Sequence, residues 1–140
     1  MSLFSVFSIS GSGMIAEQQR LTAVASNLAN ANSMGDSTGQ PYRAREVVFE
    51  PLPADSGDAD GVNGIGMGGV RVAGITQSNE PGRQVYDPGS PLADDKGYVQ
   101  MPNVNTTDEM VNMISAQKNY QADLEAFNVA KTLLQKTLTI

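Results

Sequence analysis

The glycines at 64, 66 and 69 fall in G-x-G-x-x-G spacing, an arrangement that lets a backbone approach the pyrophosphate of a dinucleotide. That chemistry needs a helix N-terminus directly after the glycines, and "VRVAGIT" at 70–76 reads as a strand instead. "SGDADG" at 56–61 looks like half of a calcium loop. Ser56 replaces its leading aspartate, and Met67 sits where the bidentate glutamate belongs, so a solvated acidic loop is the better reading. Serines are plentiful, but the chain has no histidine and no cysteine, which leaves a serine nucleophile only lysine as its base. No Ser and Lys spacing singles out a pair. No catalytic residue, metal ligand or cofactor site is assigned, and an enzyme is not expected.

The same absences remove disulfides and thiolate zinc sites. Net charge is −6, and the nine basic residues are scattered, so no electrostatic footprint for phosphates forms and nucleic acid is not an expected partner. No apolar run reaches 18 residues, which argues against membrane insertion. "MSLFSVFSISGSG" lacks the basic start and long apolar core of a cleaved signal peptide.

The elements that carry the remaining polar residues fall into three parts. Residues 1–34 have helical periodicity, 35–105 are rich in Gly and Pro, and 106–140 form a long helical pattern. In the first part Phe7, Met14, Leu21 and Leu28 recur every seven residues, with Val24 and Ala25 beside them, and Gly11 and Gly13 predict a break near the start. A face of smaller residues, Ala16, Ala23, Asn27 and Asn30, lies about 200° around the helix. "SNLANANS" at 26–33 thus ends the helix in Asn27, Asn30 and Asn32. Asparagines there either cap a fraying end or satisfy carbonyls and loop groups across a close helix contact.

Thr106 and Glu109 stand in capping-box spacing and predict the start of the last helix. Met113, Tyr120, Phe127 and Leu134 repeat every seven residues along it, flanked by Met110, Leu124 and Leu138. A second stripe runs through Ala122, Ala126, Val129, Leu133 and Ile140. Met14, Leu21, Val24 and Leu28 are predicted to pack against Met113, Tyr120, Leu124, Phe127 and Leu134. Apolar surface on two sides of each helix implies further neighbours, although an ordinary helical hairpin core would also produce the stripes. Between the helices, "PYRAREVVFEPL", "GVRVAGITQ", "GRQVYD" and "GYVQM" read as short strands separated by "NEPG" and "DPGSP" turns. The expected class is α+β, with paired, coiled-coil-like terminal helices and a small middle segment rich in β-hairpins. The run from Ala54 to Gly69 reads as a flexible loop.

"GMIAEQQRLTAVASNLANANS" resembles the N-terminal motif of the bacterial flagellar axial proteins, the rod, hook and hook-associated family. "EMVNMISAQKNYQADLEAFNVAKTLLQKTLTI" resembles their C-terminal helix, with the characteristic positions carried by Met113, Ile114, Gln117, Tyr120 and Asn128. Ser33 stands where many members have threonine. The short length and "GYVQMPNVN" at 97–105 are similar to the short, proximal rod members. The resemblance implies a structural subunit that polymerises through its terminal helices into a tube, which transmits torque and encloses the export channel. Its implied partners are further copies of itself, other rod proteins and the flagellar type III export apparatus. Its implied location is the basal-body rod in the periplasm, reached without a cleaved signal. The implied assembly interface comprises Met14, Leu21, Val24, Asn27, Leu28, Asn30, Met113, Tyr120, Leu124, Phe127, Leu134 and Leu138. The alternatives are another short rod component, or a secreted helical adaptor that does not polymerise.

Overall fold

The structure is a computed structural model and describes residues 3–35, 40–52 and 68–138. Two helices bracket two small antiparallel sheets, in the order α1 (Leu3–Asn30), β1 (Arg45–Leu52), β2 (Gly69–Gln77), β3 (Gln84–Tyr86), β4 (Tyr98–Gln100) and α2 (Thr106–Leu138). This is the α+β arrangement expected from the sequence. Of the loop expected from Ala54 to Gly69, residues 54–67 lie outside the described residues, as do the calcium-like segment and most of the glycine-rich spacing, while Gly69 is the first residue of β2.

α1 runs through Gly11 and Gly13 without the predicted break. A glycine in a helix costs only about 0.5–1 kcal/mol, less than the packing on both its flanks returns. Gly13 has a use as well, because a Cβ there would stand 2.5 Å from Oδ2 of Asp123 on α2. α1 ends in a tightened turn, where the Ala31 N–H donates to Leu28 O and the Ser33 N–H donates to Asn30 O.

α2 starts one residue away from the predicted cap. Asn105 accepts from the Thr107 N–H at 3.0 Å and donates from its amide to Asp108 at 2.8 Å, while its carbonyl takes the Glu109 N–H. Asparagine caps a helix at least as well as threonine. Glu109 does not reach back to the cap, because its carboxylate is engaged by α1.

The two helices pack antiparallel along their length, and α1 also packs on the β1–β2 sheet. In that sheet Arg45 pairs with Gln77 and Leu52 with Gly69. The register slips between Val48 and Phe49, leaving Ala73 as the extra residue of a bulge. On the α1 side, the Ser12 hydroxyl donates to Ile9 O and accepts the Val70 N–H at 3.1 Å, which ties the start of β2 to the helix. The second sheet pairs Gln84 with Gln100 and Tyr86 with Tyr98, whose rings meet edge to face. The turn before β4 places Gly97 at φ 83°, a left-handed backbone that favours glycine. No helix among the described residues is long and apolar enough to cross a membrane.

The core between the helices is built from small residues. Ala16, Ala23, Val24 and Ala31 of α1 and its following turn are buried, as are Ala116 and Ala130 of α2, with Ala116 0% exposed. Short side chains let the helix axes approach closely.

Candidate assembly site

Asn27, in the last turn of α1, is 1% exposed and is the largest fully buried side chain among the described residues. Its carboxamide oxygen accepts the Arg45 N–H at 2.8 Å and the Tyr42 hydroxyl at 3.0 Å. Its amide nitrogen donates to Arg45 O at 2.9 Å and to the Glu109 carboxylate at 3.0 Å. A carboxamide has two acceptor sites and two N–H donors, so every one is used. Toward Arg45 the side chain behaves as a neighbouring strand would, exchanging both bonds with one residue's backbone. One side chain therefore joins α1, the first residue of β1 and the first turn of α2. Glu109 suits its place, since a carboxylate is favoured at a helix N-terminus.

Asn103 does similar work beside it. Its oxygen accepts the Ala44 N–H at 2.8 Å, and its amide donates to Glu80 O at 3.1 Å, which holds the lead-in to β1 against the segment after β2. Asn30 turns inward on its own helix and donates to Ser26 O at 2.8 Å. The Ser26 and Tyr42 hydroxyls lie 3.1 Å apart.

Farther along the seam stands a second polar cluster. Glu17 is 8% exposed and accepts from the Asn119 amide of α2 at 3.0 Å through Oε1. Its Oε2 is buried without a hydrogen bond, and the Arg20 guanidinium stands at 3.6 Å, an ion pair too long to be one. Asp123, one turn beyond Asn119, is pushed above the ordinary carboxylate value of 3.8 by burial and, second, by the Glu17 carboxylate.

The structure distributes the predicted interface residues unevenly. Val24 and Asn27 are buried in the seam, and Met14, Leu21, Leu28, Asn30, Met113, Tyr120, Phe127 and Leu134 are half-buried. Phe127 meets Phe7 edge to face at 4.8 Å. Leu124 is 40% exposed, so it does not join the core between the helices as predicted, and Leu138 is 78% exposed. The small-residue face that the sequence placed second fills the contact, and the large stripe flanks it. Met110, Val111, Ile114, Val129 and Leu133 stay exposed on α2. Sequence reasoning missed Tyr42, Arg45, Asn103, Asn119 and Asp123, because nothing local marks a residue whose partner lies 15 to 102 positions away.

The family described as "Flagella basal body rod protein" matches residues 7–35, and the one described as "Flagellar basal body rod FlgEFG protein C-terminal" matches residues 95–140. The first match covers α1 from Phe7 onward, including Asn27, and the second covers Asn103 and the whole of α2, including Glu109. Over 140 residues the chain is 51% identical to the flagellar basal-body rod protein FlgC of Yersinia enterocolitica and 49% identical to that of Escherichia coli O6:H1 (strain CFT073). Each of these similarities covers 100% of this chain and 98% of the relative. The chain belongs to the FlgC family of flagellar basal-body rod proteins. A more distant FlgC, from Borreliella burgdorferi, is 36% identical over 152 residues, again with 100% of this chain covered. Membership places the two-helix seam and its asparagine joints in a family of flagellar rod subunits.

Proposed function

We propose that this chain is a structural subunit of the proximal rod of the flagellar basal body. It polymerises through residues 1–34 and 106–140, with the β-rich residues 35–105 outside the helices. The assembled tube transmits torque and encloses the export channel. Copies of this chain and other rod proteins are its neighbours, and the flagellar type III export apparatus delivers it, with its N-terminus intact, to the periplasm.

The observation that carries this reading is the face of α2 turned away from α1. Counting 100° per residue, Met110, Val111, Ile114, Val129 and Leu133 fall within about 140° on the side opposite Ala116 and Ala130. All five are exposed, Ile114 by 54%. A row of this kind marks an interaction surface. Repeated head to tail, a contact between two different patches gives an open helical filament instead of a closed ring. Rod proteins that stack in this way use their apolar surface twice, once within the chain and once between chains.

Ile114→Asp tests the reading. Ile114 is 54% exposed, so the change leaves the isolated chain folded, with unchanged helix content by circular dichroism. It places a charge in the intersubunit contact, which costs several kcal/mol when no partner is present. The expected result is loss of motility and absence of the variant from purified basal bodies. Normal motility contradicts the reading.

A further inference from the structure

A groove of about 430 Å³ opens beside the helix seam where α1, α2 and the β1–β2 sheet meet. Ile9, Phe49 and Val70 supply its apolar walls, and its charged groups are Glu17 and Asp123. Gly13 makes room for the Asp123 carboxylate. Among the described residues nothing donates a hydrogen bond or a cation to Asp123. Glu17 is more than nine-tenths buried, and its Oε2 has no hydrogen bond. Arg20, its ion-pair partner, does not line the groove. Residues 53–67, which lead into Gly68 at its edge, contain three aspartates and no lysine or arginine. All nine basic side chains lie among the described residues. The chain thus holds two carboxylates in a partly apolar groove whose lining has no cation, and the nearest one, Arg20, reaches only Glu17 Oε2, at 3.6 Å and without a hydrogen bond.

The matching half is on α2. Counting 100° per residue, Lys118 sits in the middle of the outward face, between Ile114 and Ala122 and one helical turn from each. It is exposed and has no ion pair or hydrogen bond among the described residues. A contact that buries Ile114 and Val111 takes the Lys118 ammonium out of water, and an unpaired buried charge is strongly unfavourable. Copies that each carry a charge of −6 also repel one another unless their cations meet carboxylates.

We infer that the groove is the receptor for Lys118 of a second copy, whose ammonium bridges Glu17 and Asp123 in the contact that joins successive subunits. The inference rests on the polymerising reading above and makes it specific. It defines a heterologous contact in which the outward face of one α2 meets the helix seam of the next copy, and it fixes their register through one ion pair. Charge complementarity of this kind chooses between apolar surfaces that would otherwise slide.

Charge reversal tests it in cells lacking the native copy. Asp123→Lys and Lys118→Glu are each expected to lower incorporation into purified basal bodies by at least about tenfold, the scale of a desolvated charge pair. The double variant is expected to recover most of the loss, because the pair is restored with its poles exchanged. Circular dichroism of the soluble single variants reports whether they keep the helix content of the native chain. Carbodiimide, which joins a carboxylate to a touching lysine without a spacer, is expected to link Lys118 to Asp123 or Glu17 in native particles. Wild-type incorporation of either single variant overturns the inference, as does a double variant no better than its parents. A carbodiimide link from the groove to another rod protein's lysine overturns it as well. Absence of the native chain from the particles would instead refute the rod reading itself.

Discussion

Asn27→Ala removes the joint on which three elements meet. The change takes away four hydrogen bonds, one of them to the ionised Glu109. A charge-assisted bond is worth about 1.5–3 kcal/mol and each neutral one about 1 kcal/mol, for a ceiling of about 5–6 kcal/mol. Glu109 and Tyr42 are half-buried, so water replaces part of what they lose, whereas the Arg45 N–H and C=O face the vacated side chain directly. The expected loss is about 3–5 kcal/mol, a large share of the roughly 5–15 kcal/mol that holds a domain of this size. Urea unfolding of the full chain, followed by helix signal, should show the midpoint lowered by more than about 1 M at a slope of roughly 1–3 kcal/mol per molar. Asn27→Asp supplies the control. It keeps the acceptor oxygen but sets a carboxylate against Arg45 O and the Glu109 carboxylate, so it should be at least as damaging as alanine at neutral pH. Adding Glu109→Gln to it should recover stability, because the new amide can donate to the aspartate. A loss below about 1 kcal/mol for Asn27→Ala, or no recovery in the double variant, refutes the account of the joint.

Asp123 sets a pH dependence whose sign follows from its raised pKa. Its contribution to stability is fully present below 3.8, the unfolded value, and is lost as pH rises through the folded value, because the folded chain holds the proton longer. Asp123→Asn should therefore make the isolated chain more stable at neutral pH and flatten its loss of stability above pH 4, as thermal melts across that range will show. The same variant should assemble less well, since the groove loses a charge. At Gly82 a Cβ would run into the backbone carbonyl of Met101, so Gly82→Ala should destabilise the chain by about 1–3 kcal/mol in the same urea assay.

Much of the fold is legible in the sequence because it rests on local signals. The seven-residue repeats mark α1 and α2, and the strands fall within the segments delimited by Gly and Pro. The seam is read less well. Heptad reasoning gives priority to large residues such as Leu124 and Leu138, yet close approach of two helices favours the small face, and Ala16, Ala23 and Ala116 occupy it. The capping box fails by one residue because Glu109 has a stronger partner, the Asn27 amide, 82 positions away. The three asparagines at 27, 30 and 32 are visible in the sequence as an oddity. Only the fold shows that Asn27 bonds to a strand and to the opposite helix, while Asn30 serves its own helix. Glu17 and Asp123 escape sequence reading altogether, since each is an ordinary acidic residue until the helices bring both into one groove.

The central claim is that the outward face of α2 is buried by the next subunit in the rod. A reconstruction of purified basal bodies at side-chain resolution tests it most directly. The account predicts that this chain occupies the proximal rod with Val111, Ile114 and Val129 covered by a neighbouring rod subunit. A chain present in the rod with that face open to solvent would contradict it.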